Sequence, residues 1–218
     1  MSKLAVYLMP GLAASPLIFE NIKLPTSSYE LIYLEWFLPH KNETLQHYAK
    51  RMCKDIKEDS VLIGVSFGGI LVQEMAKQIR VKKLIIISSV KSHLEFPQRI
   101  KIAKTTKAYK ILPTRWLQNI ETLVKYSFGN NIISKRLKLY EKYLQMRDKA
   151  YLDWAIEKLV LWENEEENSK LIHIHGEKDE VFPIKNIKNC IIVKNATHTL
   201  ILHKYKWLNE NLPKLIEN

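Results

Sequence analysis

The sequence predicts an α/β protein built on a mostly parallel sheet of six strands with flanking helices. Two observations support this fold class. Short apolar segments rich in β-branched residues alternate with segments whose apolar residues recur at helical spacing. The apolar segments are also continuous, which is typical of strands covered on both faces of a parallel sheet. With 218 residues, of which 46% are hydrophobic, the chain is long enough for one domain with a full core.

The predicted elements follow one another in order along the chain. The strands are expected at Leu4–Leu8, Leu31–Leu34, Val61–Val65, Leu84–Ile87, Leu171–His175 and Ile191–Val193. Helical spacing of apolar residues predicts helices over Thr44–Lys57, Phe67–Ile79 and Leu200–Ile216. Such alternation favours a sheet with right-handed crossover connections.

Residues 91–167 interrupt this alternation. They contain no convincing strand, and Pro97 and Pro113 stand where helices begin. We predict an inserted helical cap over residues 91–167, with a core formed by residues 1–90 and 168–218.

The chain carries a net charge of +11. Residues 91–160 hold 15 Lys and Arg against 6 Asp and Glu, so the insertion is the basic part.

Several classes of protein are disfavoured by composition. The two cysteines, Cys53 and Cys190, make neither a disulfide framework nor a metal site. No apolar segment approaches the roughly 18 residues of a membrane span, and Leu4–Met9 is too short for a signal sequence. The basic charge comes without a nucleic-acid-binding module. We therefore expect a cytoplasmic protein with no stable membrane association and no nucleic-acid partner.

The most informative motif is Gly64-Val65-Ser66-Phe67-Gly68. It fits the pattern G-x-S-x-G, and it lies between a predicted strand and a predicted helix, which is the context that a nucleophile elbow requires. The small residues at Gly64 and Gly68 let strand and helix pass closely, so that the hydroxyl of Ser66 projects from a sharp turn. The motif predicts that Ser66 is a nucleophile.

A serine nucleophile needs a base. Of the seven histidines, His198 lies between the last predicted strand and the last helix, at the sheet edge where ligand-facing groups gather. The others are expected in the core (His173), at a strand end (His175), or on the surface or in helices (His40, His47, His93 and His203).

The base in turn needs a carboxylate to orient it. Asp179 follows the strand Leu171–His175, and Glu177 and Glu180 are alternatives in the same loop. With Asp179 as the acid, the chain order Ser, Asp, His is the order found in hydrolases of this architecture.

These stretches resemble the α/β-hydrolase fold superfamily over nearly the whole chain. The family pattern of a strand, H-G-x-x-D and a later proline matches His175-Gly176-Glu177-Lys178-Asp179 with Pro183, and this match favours Asp179. The resemblance implies a trimmed sheet, since the two antiparallel strands that open the family fold have no counterpart before Leu4. It also implies that the second strand lies at one edge, next to the first.

The resemblance further implies an oxyanion hole formed by two backbone N–H groups, those of Leu12 and Phe67. The loop that carries Leu12 reads Met9-Pro10-Gly11-Leu12. It departs from the family because Pro10 stands where a histidine usually supports the loop.

The predicted function is a serine hydrolase that cleaves a small carboxylic ester or thioester through a Ser66–His198–Asp179 triad and an acyl-enzyme, without a metal or cofactor. The basic insertion leaves room for an acidic acyl carrier or a coenzyme A thioester as substrate. A C–C bond hydrolase and a non-catalytic binding protein of the same fold remain open. Aromatic residues of the insertion are expected to contribute to a pocket, with most of them in the core of the cap.

Overall fold

The computed structural model describes residues 3–111, 141–166 and 168–217. Within them, six strands form one sheet: β1 Leu4–Met9, β2 Tyr29–Tyr33, β3 Ser60–Val65, β4 Val81–Ile87, β5 Leu171–Gly176 and β6 Ile191–Val193. All neighbouring pairs are parallel, in the order β2-β1-β3-β4-β5-β6. The predicted fold class and the predicted edge position of β2 beside β1 are confirmed.

The described helices are α1 Leu45–Met52, α2 Phe67–Ala76, α3 Gln98–Thr106, α4 Lys149–Leu161, α5 Leu200–His203 and α6 Tyr205–Glu217. The helix predicted over Thr44–Lys57 ends at Met52 and continues as a 3-10 turn. The helix predicted over Leu200–Ile216 is divided at Lys204. Capping side chains set two of the helix starts, because Thr44 accepts a hydrogen bond from the His47 N–H and Asp148 accepts from the N–H groups of Ala150 and Tyr151.

Burial of the strands follows their place in the sheet. Every residue of the central strand β3 is buried, and so are five of the six residues of β1. The edge strands β2 and β6 are each partly exposed. The expectation that all six strands are covered on both faces was therefore wrong for the two edges, where the apolar pattern alone does not reveal that one neighbour is missing.

Residues between β4 and β5 contribute α3 and α4 and two 3-10 turns, and α3 begins directly after Pro97, as predicted. Pro113 and most of the predicted cap centre lie outside the described residues, so the cap limits 91–167 stay a prediction. The segment also touches the core at Leu144, which forms an isolated antiparallel bridge with Ala14 in the loop after β1.

Register brings the carboxyl ends of the central strands to one edge. Met9 of β1 pairs with Gly64 of β3, and Val65 pairs with Ile87 of β4. At the far side, Gly176 of β5 pairs with Val193 of β6. The loops that leave these strands share one end of the sheet, which is where ligands bind in open α/β folds.

Candidate active site

Ser66, His198 and Asp179 form one chain of hydrogen bonds at that end. The distance from Ser66 Oγ to His198 Nε2 is 3.0 Å, and from His198 Nδ1 to Asp179 Oδ2 it is 2.8 Å. Asp179 and His198 are buried. The structure therefore brings together the three side chains that the sequence predicts as nucleophile, acid and base. Along the chain, Asp179 lies 113 residues after Ser66, and His198 lies 19 residues after Asp179.

The turn that carries Ser66 is strained. Its backbone has φ 53° and ψ −120°, and it is the residue immediately before the first residue of α2. The neighbouring glycines allow the close approach that this turn requires: a Cβ on Gly64 would lie 2.4 Å from the Gly68 carbonyl oxygen, and one on Gly68 would lie 2.3 Å from the Pro10 carbonyl oxygen. A side chain at either position would force backbone segments apart, so this turn requires glycine at both positions.

Two residues outside the motif hold the turn at Ser66 in place. Ser89, which follows β4, donates its hydroxyl to the carbonyl oxygen of Ser66 at 2.7 Å. Gln73 on α2 donates to the carbonyl oxygen of Val90 at 2.9 Å and so ties the helix to the same loop. Sequence reasoning missed both residues, because no local pattern marks a contact between segments that are distant along the chain.

Asp179 is held from both sides of its carboxylate. Oδ1 accepts hydrogen bonds from the N–H groups of Val181 at 2.8 Å and Phe182 at 2.9 Å, which leaves Oδ2 for His198. Burial alone would raise the pKa of Asp179, but the facing His198, His175 and the Phe182 N–H outweigh it and hold that pKa below its usual range. The group is therefore an anion at neutral pH.

The two alternative acids have other partners. Glu177 accepts a hydrogen bond from the Asn195 N–H at 2.8 Å and steadies the loop before His198. Glu180 is exposed, and its backbone carbonyl accepts from Arg99. Of the three carboxylates left open by the sequence, Asp179 is the one that contacts His198.

The hydrogen bonds set the tautomer of His198. An ionised carboxylate only accepts hydrogen bonds, so His198 Nδ1 carries the proton and donates to Asp179. In the neutral imidazole Nε2 is then the acceptor for the hydroxyl of Ser66. This is the arrangement that a general base would need.

The two predicted oxyanion donors lie beside Ser66. Phe67 is the first residue of α2, and the first N–H groups of a helix have no acceptor within the helix. Leu12 lines the same cavity as Ser66 and His198. Its neighbour Gly11 is close to Ser66, since a Cβ on Gly11 would lie 3.4 Å from Ser66 Cβ. Both residues therefore lie near Ser66, and their role as oxyanion donors stays a prediction.

A cavity of about 350 Å³ opens at Ser66. Its walls are mostly aliphatic, and they come from α3 and α4, from the loops after β1 and β5, and from α5. The lining side chains include Leu12, Ile18, Ile100, Ala103, Leu144, Ile156, Leu159, Val160, Val181, Phe182, Ile201 and Leu202. Among the lining residues that the structure describes, Arg99 is the only lysine or arginine.

The expectation that aromatic residues of the insertion line the pocket is not met by the described ones. They are buried in packing instead: Tyr109, Tyr143, Tyr151, Trp154 and Trp162. Large flat side chains fill space between helices well, whereas the cavity wall is left to smaller aliphatic groups. Trp116, Tyr126, Phe128 and Tyr140 lie outside the described residues.

The remaining histidines lie away from Ser66 in the core or towards the surface, and His93 is half-buried. His173 and His175 are buried on β5, with His173 Nε2 3.1 Å from His175 Nδ1. His40, His47 and His203 are exposed. Among residues 3–111, 141–166 and 168–217, no group of three or more His, Cys, Asp or Glu side chains is placed to hold a metal ion.

In the part of the chain that the structure describes, every helix is too short or too polar to cross a lipid bilayer.

Comparison with known structures identifies the fold. The chain has the α/β-hydrolase fold. A bromoperoxidase from Bacillus anthracis matches 100% of this chain and 93% of its own, with a TM-score of 0.69 and 18% identity. An esterase from Exiguobacterium antarcticum matches the same shares with a TM-score of 0.71 and 16% identity.

An esterase from Thermogutta terrifontis, in a malate-bound structure, covers 99% of this chain and 90% of its own, with a TM-score of 0.66 and 11% identity. The sequence itself matches no family model and no curated protein. At these identities the likeness concerns the fold, which hosts many activities, so function has to be argued from the site.

Proposed function

We propose that this protein is a serine hydrolase that cleaves carboxylic esters or thioesters through an acyl-enzyme. The observation that carries the proposal is the hydrogen-bonded chain from Ser66 through His198 to Asp179, with a strained serine at the end of an apolar cavity. Esterases are among the proteins of similar fold. The fold alone does not decide the activity, since a bromoperoxidase is among them too.

The reaction proceeds in two steps. Ser66 Oγ attacks the acyl carbonyl carbon while its proton moves to His198 Nε2, and the N–H groups of Leu12 and Phe67 hold the resulting oxyanion. Collapse of this intermediate breaks the bond to the leaving alcohol or thiol, which takes the proton from His198. Water then attacks the acyl-enzyme with His198 again as base, releasing the carboxylic acid and restoring Ser66. Asp179 stabilises the charged imidazole in both steps.

Steady-state hydrolysis of p-nitrophenyl esters tests this proposal. We expect wild type to turn over short or medium acyl esters, and Ser66→Ala and His198→Ala to lose about 10³-fold or more in kcat. Ser60→Ala is the matched control, because Ser60 is a buried serine at the opposite end of the same strand and should keep full activity. Equal rates for Ser66→Ala and wild type would overturn the proposal.

The helix α3 bears on the chemistry of the leaving group, which is the less defined part of the substrate. This helix lines the cavity with Arg99, Ile100 and Ala103, and no residue of it is buried. Lys101 on this helix and Lys107, which follows it, are exposed and add positive charge to the same segment. A second candidate substrate is therefore an acyl thioester whose thiol part is anionic, such as a coenzyme A or an acidic carrier.

Two thioesters with the same acyl chain separate these candidates. An acyl-coenzyme A carries phosphates on its thiol part, and an acyl-N-acetylcysteamine is uncharged. Docking on α3 predicts a higher kcat/KM for the coenzyme A thioester, with the difference falling as salt is added. Lys101→Glu should reduce that difference, and Lys214→Glu, on α6, should not. Equal, salt-independent rates would leave the plain ester as the substrate class.

A non-catalytic binding protein and a C–C bond hydrolase would each give a different result from an esterase or thioesterase. A binding protein of this fold would show neither turnover nor reaction of Ser66 with a fluorophosphonate. A C–C bond hydrolase would react with the fluorophosphonate at Ser66 but would leave esters and thioesters intact.

A further inference from the structure

The loop that carries Leu12 has an anchor that the family resemblance does not supply. Pro10 stands where a histidine side chain usually supports this loop, yet the loop is held. Trp36, in the segment that follows β2, donates its indole N–H to the Gly11 carbonyl oxygen at 2.8 Å. Both partners of this bond are buried.

The bond acts on the peptide unit that carries one proposed oxyanion donor. The Gly11 carbonyl and the Leu12 N–H belong to the same planar peptide, so fixing the direction of one fixes the other. A glycine next to this peptide lets the unit rotate with little steric cost. Trp36 and the Ala14 N–H, which also donates to the Gly11 oxygen at 3.0 Å, oppose that rotation.

The ring of Trp36 contacts the second donor as well. It stacks on Phe67 with ring centroids 5.2 Å apart and an interplanar angle of 11°. Phe67 supplies the other N–H of the proposed oxyanion hole. One side chain thus touches both segments whose N–H groups must converge on the same oxygen atom.

Tyr151 on α4 completes the arrangement from the insertion. Its ring lies 5.4 Å from that of Trp36, and its hydroxyl accepts a hydrogen bond from the Ala13 N–H at 3.3 Å. Ala13 has φ 60°, which an alanine rarely adopts. The contacts around the loop therefore stabilise an unfavourable backbone conformation. Burial raises the pKa of Tyr151 well above its usual value, and the hydroxyl stays neutral.

We propose that Trp36 is a positioning residue for the oxyanion hole: its N–H directs the Leu12 N–H towards the cavity, and its ring holds Phe67 in place. This inference rests on the proposed function, because it concerns the same reaction. It predicts that loss of the indole N–H weakens stabilisation of the transition state and leaves substrate binding nearly unchanged.

The experiment compares two tryptophan-to-phenylalanine substitutions. Trp36→Phe keeps an aromatic ring over Phe67 and removes the N–H. Trp154→Phe is the matched control: Trp154 belongs to the same aromatic group, lies 6.2 Å from Phe67, and donates a buried 2.8 Å hydrogen bond to the Glu43 carbonyl rather than to the loop. Both variants lose one buried indole hydrogen bond, so their thermal stabilities should fall by similar amounts.

We expect Trp36→Phe to lower kcat about 10- to 100-fold with KM within about twofold, which is less than the loss of a complete oxyanion donor. Its affinity for a boronic acid that forms a tetrahedral adduct with Ser66 should fall in parallel with kcat/KM. Trp154→Phe should keep kcat within about threefold of wild type. Tyr151→Phe, which removes the acceptor of the Ala13 N–H, should lower kcat in the same way but less, and it provides a second test if Trp36→Phe folds poorly.

Three results would overturn the inference: unchanged kcat in folded Trp36→Phe, a change confined to KM, or an equal loss in Trp154→Phe. Where Trp36→Phe does not fold, unchanged kcat in Tyr151→Phe would overturn it instead. Ser66→Ala, assayed alongside, separates this failure from failure of the proposed function. If Ser66→Ala is inactive and Trp36→Phe behaves as wild type, only the positioning role is wrong. If no ester is turned over, the rate of fluorophosphonate labelling at Ser66 replaces kcat, and the absence of labelling would overturn both proposals.

Discussion

Ser66 stores strain in its backbone. Non-glycine residues seldom adopt φ 53° with ψ −120°, and such conformations cost roughly 1–3 kcal/mol each. The surroundings maintain it: Gly64 and Gly68 allow the close approach, and Ser89 binds the Ser66 carbonyl oxygen. The strain is the cost of projecting Oγ towards His198.

Relief of this strain is a testable consequence. We expect Ser66→Gly to be more stable than Ser66→Ala by about 1 kcal/mol in the free energy of unfolding, because glycine accepts the positive φ while alanine keeps the strain. At an ordinary position the order is the reverse. Urea denaturation of the two variants measures the difference, and a more stable alanine variant would show that the turn is unstrained.

The elements place each proposed site residue at the carboxyl end of a strand. Ser66 follows β3, Asp179 follows β5, His198 follows β6, and Leu12 follows β1. Ser66 and His198 could be predicted from local patterns, an apolar segment followed by a glycine turn or a short polar loop. The choice of Asp179 over its neighbours, and the role of Leu12, came from the family resemblance. The parallel register then brings the loops together.

Contacts between distant segments had no such signal. Trp36 is a lone tryptophan after a short strand, and nothing in the sequence connects it with Gly11. The pairing of Leu144 with Ala14 likewise has no signal in the sequence. The partial exposure of β6 was missed for a related reason, since an edge position depends on strand order rather than on the strand's own residues. That of β2 was missed although the resemblance placed this strand at an edge.

The strand β5 also carries a pH-dependent contribution to stability. Burial lowers the pKa of His173 well below its usual value, and burial lowers that of His175 although Asp179 opposes the shift. In the unfolded chain both groups titrate near 6.5. Below that pH the unfolded state binds more protons than the folded state, so the free energy of unfolding falls as pH falls. The lowered pKa of Asp179 acts separately, below about pH 4.

We therefore expect wild type to lose stability between pH 7.5 and 5.5, with each histidine contributing up to about 1.4 kcal/mol per pH unit. His173→Gln keeps a neutral polar side chain on β5 and should lose less over the same interval. His40→Gln, at an exposed position, serves as the control and should follow wild type. Denaturant unfolding at the two pH values measures this, and parallel curves for His173→Gln and wild type would contradict the account.

The whole molecule forms its cavity from two parts of the chain. The core contributes Ser66 and His198, while α3 and α4 contribute aliphatic walls from the segment between β4 and β5. The size of this cavity could not be read from the sequence, because it depends on how the helices sit over the sheet edge. Its apolar lining fits an acyl chain.

The cavity predicts a chain-length preference. Burial of each methylene contributes about 0.8 kcal/mol, so kcat/KM should rise roughly fourfold per methylene until the cavity is full. Ala103→Phe fills space on α3 and should move the optimum to shorter chains. A series of p-nitrophenyl esters from acetyl upwards measures both enzymes; a flat series, or the same optimum in Ala103→Phe, would show that the acyl group binds elsewhere.

The most direct measurement of the central claim is covalent labelling of the protein with a fluorophosphonate, followed by mass spectrometry of its peptides. The account predicts one adduct per chain, on Ser66, absent from Ser66→Ala, strongly slowed in His198→Ala and unchanged in Ser60→Ala. A wild-type protein that takes no label, or one that is labelled equally in Ser66→Ala, would contradict the assignment of Ser66 as a nucleophile activated by His198.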